Sequence, residues 1–250
     1  MAAAAALAFL GGLLAGSFVT VVAHRVPRGE SIVGPRSCCP ACGAQIAAYD
    51  NFPVLSWLVL RGRARCCGVA ISRRYPLTEL ALAALYATTV LVLWAEPYEV
   101  ALGLVFVTTL VAVTLTDLER RIIPNKILIV AGVLAVAIAA IGDPGTLPER
   151  ALAALAAGGV LFVAGLAYPG GMGMGDVKLA ATMGLFLGRN VAPALLLALF
   201  AGALVGLATM ARHGAAARKR AIPFGPFLAL GGIAGLLVGN EIVDWYLDAF

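Results

Sequence analysis

Eight long apolar segments, separated by short polar or glycine- and proline-rich stretches, constrain the fold of this chain most strongly. They cover approximately residues 4–23, 77–95, 99–116, 127–142, 150–168, 177–189, 191–211 and 225–243. Most approach the roughly 20 residues that an α-helix needs to cross a bilayer. Because 62% of the 250 residues are hydrophobic and only 12% are charged, the chain has too little polar surface for a soluble globule. The sequence therefore predicts an all-α membrane protein with about eight transmembrane helices.

The positive charges predict how these helices are oriented. No Lys or Arg precedes the first segment, whereas His24, Arg25 and Arg28 follow it, which reverses the charge order of a cleaved signal peptide. We therefore expect an uncleaved first helix with its N-terminus outside. This orientation places four segments in the cytoplasm, at residues 24–76, 117–126, 169–178 and 212–221. They hold sixteen of the 18 Lys and Arg residues, so the net charge of +5 reflects topology and requires no nucleic-acid partner.

Residues 24–76 form the one sizeable polar segment of the sequence and contain all five cysteines. We predict a small cytoplasmic domain here, between a first transmembrane helix at 1–23 and a transmembrane domain at 77–250. A segment of about fifty residues rarely buries a self-sufficient core, so it needs a metal ion or packing against neighbouring helices.

Asp117 ends the third apolar segment, ahead of a break at Pro124 and Asn125. One interpretation is a solvated residue at the membrane boundary. The helix macrodipole, however, disfavours negative charge at a helix C-terminus. Glu119 and the arginines after it already supply polarity at this boundary. A carboxylate inside them therefore points to a function.

Asp176 follows the glycine-rich run 169–175 and precedes the sixth apolar segment. Asp176 alone could cap that helix, but capping does not explain four glycines in six residues, which disfavour helix. Non-helical backbone at membrane depth persists where protein buries it or where it lines a watery cavity. Glycines such as Gly173 and Gly175 let another backbone approach, and a peptide substrate is such a backbone. The spacing does not match a nucleotide-binding loop.

The predicted topology brings Asp117 and Asp176 to the same cytoplasmic depth. Two carboxylates in a poorly solvated site cannot both ionise easily, so the pair shares a proton. One member then takes a proton from the attacking water, while the other donates to the scissile carbonyl oxygen and to the leaving amine. This is the requirement for aspartic proteolysis. A proton-coupled transporter is the rival interpretation, but it would place its acids nearer the bilayer midplane, often in inverted repeats.

Short motifs along almost the whole chain carry a family resemblance. They are Gly16-Ser17-Phe18, residues 25–31, Pro35-Arg36-Ser37, Cys39-Pro40-Ala41-Cys42, Tyr49-Asp50-Asn51, residues 55–57 and 60–63, Ile71-Ser72, Arg74-Tyr75-Pro76, Asp117 with Ile123-Pro124, the Gly-x-Gly-Asp run ending at Asp176, and residues 222–226. In this order and spacing they make the chain similar to type IV prepilin peptidases, the bifunctional leader peptidases and N-methyltransferases of pilus and type II secretion systems.

The resemblance implies that Asp117 and Asp176 are the catalytic pair and that prepilins or pseudopilins are the substrates. Gly173, Gly175 and Lys178 would belong to the active-site loop. The implied enzyme cuts after a glycine at the cytoplasmic face of the bacterial inner membrane. It then transfers a methyl group from S-adenosylmethionine to the new terminal amine, although no motif for the methyl donor is visible. A peptidase without methyl transfer and a non-enzymatic assembly scaffold are the alternatives.

The cysteines depart from the family pattern of two Cys-x-x-Cys pairs. Ala64 stands where the second pair would begin, which leaves Cys66 and Cys67 adjacent. Three cysteines match the family positions: Cys39, Cys42 and Cys67. Cys66 or Cys38 would have to be the fourth ligand of a zinc ion that staples the small domain. The alternative is a set of reduced thiols in a domain held by its neighbours.

Glu79 lies just inside the second apolar segment. A carboxylate there could attract the new terminal amine or the sulfonium of the methyl donor, and this is our expectation for a methyl-transfer residue. The plainer interpretation is an interfacial acid. Lys178 lies two residues after Asp176, so on a helix it should face away from that carboxylate.

Overall fold

A computed structural model describes residues 1–34, 36–167, 172–213 and 223–249 of the chain. Over these residues it contains nine α-helices, linked by loops and short 3-10 turns, and no β-strand. The predicted all-α class is confirmed. The chain divides into two compact units, Met1–Trp94 and Ala95–Phe250. The predicted division at residues 23 and 76 stays a prediction.

The first unit is built on two antiparallel helices that touch at glycines. Its helices are α1 (Ala2–Arg25), α2 (Leu55–Val59) and α3 (Arg74–Val92). A Cβ atom added to Gly12 would lie 2.6 Å from the Cα atom of Ala83, and one added to Gly16 would lie 2.6 Å from the Cα atom of Glu79. Small residues at such positions let two membrane helices approach until their backbones are in contact.

The second unit places its core where three helices meet. It contains α4 (Pro97–Arg120), α5 (Asn125–Gly142), α6 (Leu147–Ala167), α7 (Met174–Leu187), α8 (Val191–His213) and α9 (Gly225–Asp248). The rings of Phe106 in α4 and Phe186 in α7 stack with their centroids 4.9 Å apart. Gly232 of α9 lies against Phe106 and Met183, both buried. Helices α4, α7 and α9 are therefore fixed against one another by apolar packing.

Seven segments of the described chain are long and apolar enough to cross a membrane. The eight predicted spans correspond to the eight helices α1 and α3–α9. Helices α7 and α8 are separated only by the 3-10 turn Gly188–Asn190, and together they count as one 39-residue segment. Helix α7 alone has 14 residues, which makes it about 21 Å long and shorter than the hydrocarbon core. The chain is a multi-pass membrane protein.

Arg150 and Arg189, the two cations outside the predicted cytoplasmic segments, both pair with acids. Arg150 is 6% exposed and forms a salt bridge with Glu99. It also donates to the carbonyl oxygen of Phe186, near the C-terminal end of α7. Arg189 forms an exposed salt bridge with Asp244 at 3.0 Å. Arg150 therefore anchors the end of α7 that lies opposite Asp176.

Candidate active site and cysteine cluster

Asp117 occupies the last turn of α4 and is 6% exposed. The helix ends just after it because Arg121 adopts a left-handed conformation with a φ of +55°. In this conformation the Arg121 N–H donates to the main-chain carbonyl of Asp117 at 2.8 Å. The carboxylate is thus held at a helix end, and little of it reaches the surface.

The carboxylate of Asp117 meets the N-terminus of α9. The main-chain N–H of Gly225, the first residue of α9, donates to Asp117 Oδ2 at 2.8 Å, and this hydrogen bond is buried. Residues 222–226 contributed to the family resemblance, but the sequence did not indicate what they contact. The contact joins residues that are 108 positions apart, so no local pattern shows it.

Asp176 lies in the first turn of α7 and is 9% exposed. Its Oδ2 atom accepts a hydrogen bond from the N–H of Gly173, the N-cap residue, at 3.1 Å. The helix already begins at Met174, so the expectation that the glycine run stays non-helical is wrong for Gly175. A carboxylate at this position stabilises the helix start enough to offset the glycine. Residues 169–171 of the run lie outside the described residues.

The helix ends that carry the two aspartates lie side by side. A Cβ atom added to Gly175 would stand 3.0 Å from the Cβ atom of Ile123, in the loop that follows α4. Lys178 donates to the Oδ1 atom of Asn125 at 3.1 Å, so its ammonium points to the start of α5. The structure therefore places two buried carboxylates at neighbouring helix ends.

Four thiols converge in the first unit, between α1 and α3. The Sγ atoms of Cys39, Cys42, Cys66 and Cys67 all lie within 4.8 Å of one another. The Sγ atoms of Cys42 and Cys66 are 3.4 Å apart, and those of Cys39 and Cys67 are 3.7 Å apart. In a tetrahedral site with Zn–S bonds of about 2.3 Å, sulfur atoms stand about 3.8 Å apart. These four side chains fit a four-coordinate metal ion, and Cys38 is not among them.

Two matching turns present these thiols. Each turn has the same pair of main-chain hydrogen bonds at 2.8 Å: Cys39 N–H to Ala44 C=O and Gly43 N–H to Cys39 C=O in the first, and Ala64 N–H to Val69 C=O and Gly68 N–H to Ala64 C=O in the second. The glycines have φ values of +72° and +70°. Ala64 therefore occupies the position that Cys39 has in the first turn. Cys66 replaces the thiol that Ala64 lacks.

The thiols of Cys39 and Cys66 have different pKa values. The main-chain N–H groups of Ala41 and Cys42 lower the pKa of Cys39 to about 7. The side-chain hydrogen bond with Cys42 raises the pKa of Cys66 to about 12. Cys39 therefore loses its proton more readily than Cys66. A divalent metal ion would bind by displacing the remaining protons.

Two family descriptions match the chain. The Bacterial Peptidase A24 N-terminal domain matches residues 10–93, and the Type IV leader peptidase family matches residues 104–208. The prepilin leader peptidase/N-methyltransferase of Aeromonas hydrophila is 36% identical over 98% of this chain and 94% of its own length. This chain belongs to the type IV leader peptidase family. It is therefore an enzyme of that family, and the resemblance inferred from the sequence motifs is confirmed.

Other leader peptidases show the same likeness. The prepilin leader peptidase/N-methyltransferase of Bacillus subtilis (strain 168) is 35% identical over 96% of this chain and 96% of its own length. The protein of the same name from Myxococcus xanthus (strain DK1622) is 42% identical over 83% of this chain and 64% of its own length. No solved structure matches the chain.

In this leader peptidase, Glu79 is engaged within the first unit. It is 6% exposed, and its Oε2 atom accepts a hydrogen bond from the N–H of Val54 at 2.7 Å. Val54 has a φ of +59°, which a β-branched residue rarely adopts. Glu79 therefore stabilises a strained turn ahead of α2, a role that its position in the sequence does not reveal.

Proposed function

We propose that this enzyme removes the leader peptides of prepilins and pseudopilins at the cytoplasmic face of the bacterial inner membrane, with Asp117 and Asp176 as its catalytic pair. The observation that carries the proposal is the convergence of these two buried carboxylates at neighbouring helix ends. Two acids that interact in a poorly solvated place share a proton, which aspartic proteolysis requires. The names of the relatives supply the substrate class.

The proposed reaction needs only the two carboxylates and one water molecule. The ionised carboxylate takes a proton from the water as its oxygen attacks the scissile carbonyl carbon. The protonated carboxylate donates its proton to the carbonyl oxygen. As the tetrahedral intermediate collapses and the C–N bond breaks, the carboxyl group that took the water proton donates it to the leaving nitrogen, and the other carboxylate takes a proton from a hydroxyl group of the intermediate. The pair thereby returns to its starting state with one shared proton.

The run that includes Gly173 and Gly175 would receive the substrate backbone. Gly175 already packs against Ile123 without room for a side chain, and Gly173 uses its N–H to hold Asp176. Lys178 lies on the same helix but is bonded to Asn125, so its proposed part is to hold the start of α7 against α5.

The second proposed activity is N-methylation of the new terminal residue. The amine left by cleavage has an ordinary pKa near 8, so part of it is unprotonated and nucleophilic at neutral pH. S-adenosylmethionine, when bound, would supply the methyl group. The carboxylate of Glu79 already accepts a hydrogen bond from the Val54 N–H. Glu79 would therefore support methyl transfer by positioning the cytoplasmic segment.

The thiol cluster would hold a zinc ion as a structural staple. Cys39, Cys42, Cys66 and Cys67 would be its four ligands, and the sulfur spacing fits the tetrahedral geometry. Such a closed site contributes folding free energy and leaves no open position for catalysis. Proteolysis would proceed at the aspartates without direct participation of this metal.

Reconstitution tests the proposed activities. The purified enzyme in phospholipid vesicles is incubated with a purified prepilin, with and without S-adenosylmethionine, and the products are followed by intact mass. We expect loss of the leader in both samples, and the mass of one added methyl group only where S-adenosylmethionine is present. Cleavage without methylation would show that the enzyme is a peptidase without methyltransferase activity. No cleavage of any prepilin or pseudopilin would contradict the proposal.

A further inference from the structure

Main-chain N–H groups donate to both proposed catalytic carboxylates: that of Gly173 to Asp176, within one helix start, and that of Gly225 to Asp117, from a distant helix. The Gly225 N–H lies at the N-terminus of α9 and donates to Asp117 Oδ2 in a buried hydrogen bond. Pro226 has no N–H, and the N–H groups of Phe227 and Leu228 both donate to the carbonyl oxygen of Phe224. Gly225 is therefore the donor that this first turn directs to Asp117.

We infer that Gly225 is a positioning residue of the active site, whose main-chain N–H fixes Asp117 Oδ2 and leaves the other carboxylate oxygen for the reacting atoms. This inference rests on the proposed function of Asp117. It makes the N-terminus of α9 a third component of the site, beside the ends of α4 and α7.

The hydrogen bond from Gly225 improves the electrostatic environment of Asp117. Asp117 lies at the C-terminus of its own helix, where the partial negative charge of the main-chain carbonyls opposes a carboxylate. The N-terminus of α9 carries a partial positive charge, equivalent to about half an elementary charge, and presents it to the same side chain. A hydrogen bond from an amide to an ionised carboxylate is also stronger than one between neutral groups. Helix α9 thus offsets the unfavourable position of Asp117.

The absence of a side chain at position 225 is part of the arrangement. A Cβ atom added there would lie 2.7 Å from Asp117 Oδ2 and 3.2 Å from the Cβ and Cγ atoms of Asp117. A Cβ atom does not approach other atoms this closely, so even alanine must displace the carboxylate. The motif at residues 223–226 therefore needs its glycine for contact with Asp117.

Gly225→Ala tests the inference, with Gly206→Ala as the matched control, because a Cβ atom added to Gly206 in α8 meets nothing within 4 Å. We expect Gly225→Ala to lower kcat for prepilin cleavage about 100-fold, as a misplacement of about 1 Å at a catalytic group does, with KM unchanged. Gly206→Ala should keep the kcat of the parent. A kcat of Gly225→Ala within twofold of the parent would overturn the inference, even where Asp117→Asn is inactive. An inactive parent would count against the proposed function instead.

A second measurement covers the case in which Gly225→Ala fails to fold. Labelling with ¹⁵N-glycine marks the 29 glycine amides of the chain in detergent. Gly225 is the one glycine that directly follows a phenylalanine in the sequence, so additional ¹³C labelling of the phenylalanine carbonyls assigns its signal in the parent itself. We expect a downfield amide proton in the parent that moves upfield in Asp117→Asn, where the acceptor is neutral, while the signal of Gly206 stays in place. A Gly225 signal that does not respond to Asp117→Asn would refute the inference.

Discussion

At the scale of single residues, the cysteine cluster shows that a thiol can move to another sequence position and still reach the same place in the structure. Ala64 occupies the position that a cysteine holds in the matching first turn, yet four Sγ atoms still converge. The replacement is Cys66, two positions further along the second turn. Adjacent cysteines can share one metal ion here because the turn reverses the chain at Gly68.

Replacement of Cys66 should abolish metal binding, whereas replacement of Cys38 should not. Cys38 is exposed and lies outside the cluster, so Cys38→Ser is the matched control for Cys66→Ser. With Co²⁺ as a spectroscopic substitute for zinc, we expect the parent and Cys38→Ser to bind one ion with tetrahedral thiolate absorption, and Cys66→Ser to lose it. Equal Co²⁺ spectra for both variants would show that Cys66 is not the fourth ligand.

The ion pair between Arg65 and Asp50 should make the cysteine-bearing segment dependent on pH. Two hydrogen bonds at 2.8 Å from Arg65 lower the pKa of Asp50 below its ordinary value near 4. The stabilisation is therefore fully present above about pH 4 and is lost as the pH falls through the lowered pKa of Asp50. We expect Arg65→Ala to reduce amide-exchange protection over residues 37–72 at pH 6, and the difference from the parent to vanish at strongly acidic pH.

A double-mutant comparison isolates this pair. In an Asp50→Asn background, Arg65→Ala should leave the exchange protection of residues 37–72 unchanged, because the partner charge is already absent. If Arg65→Ala has the same effect in both backgrounds, the protection comes from other contacts of Arg65, such as its position over the Tyr49 ring, 5.5 Å from the centroid.

At the scale of helices, the pairing of α1 with α3 depends on one face of α1. Gly12 and Gly16 lie four residues apart on that face, and each touches the backbone of α3. Gly11, beside Gly12, meets nothing within 4 Å. The sequence does not indicate which of these glycines contact α3. That depends on the register of the two helices.

Gly12→Ala should therefore destabilise the first unit, and Gly11→Ala should not. The added Cβ atom of Gly12→Ala would lie 2.6 Å from the Cα atom of Ala83 and 2.8 Å from the carbonyl oxygen of Leu82. Overpacking of this kind costs about 1–3 kcal/mol of the free energy of unfolding. Reversible unfolding in mixed micelles measures both variants. Equal stabilities would contradict the close contact of α1 with α3.

The far end of α7 offers a second test of helix packing. Arg150 is buried, pairs with Glu99 and binds the carbonyl of Phe186, so Arg150→Met leaves two polar groups without their partner. We expect a loss of about 3 kcal/mol in the free energy of unfolding. Arg189→Met, which breaks the exposed pair with Asp244, should cost less than about 1 kcal/mol. Similar losses in the two variants would show that the burial of Arg150 does not determine its contribution to the free energy of unfolding.

At the scale of the whole molecule, the pattern of apolar residues predicted most of the fold. The long apolar runs located the helices to within a few residues, as for the run at 99–116 within α4 (Pro97–Arg120). They did so because the bilayer sets both the length and the composition of a spanning segment. Asp117 and Asp176 could also be identified as candidate catalytic residues. Each is an acid at the end of an apolar segment, and each belongs to a family motif.

Contacts between distant segments could not be predicted in this way. The hydrogen bond between Gly225 and Asp117, the contact of Glu79 with Val54 and the anchoring of α7 by Arg150 all join helices or turns far apart in the chain. Each depends on the relative rotation of packed helices, which a run of apolar residues does not fix. The start of α7 at Met174 was missed for a related reason, because the carboxylate of Asp176 stabilises a turn that glycine content alone disfavours.

If Asp117 and Asp176 cleave the prepilin leader as a pair, removing the charge of either one should stop the reaction. Asp117→Asn and Asp176→Asn keep the size of each side chain but remove its charge, and Glu119→Gln makes the same change at an exposed acid two residues from Asp117. Leader removal from a purified prepilin is measured by intact mass for each purified variant. We expect no cleavage by either aspartate variant and parental cleavage by Glu119→Gln. Cleavage that survives either Asp117→Asn or Asp176→Asn would refute the proposed catalytic pair.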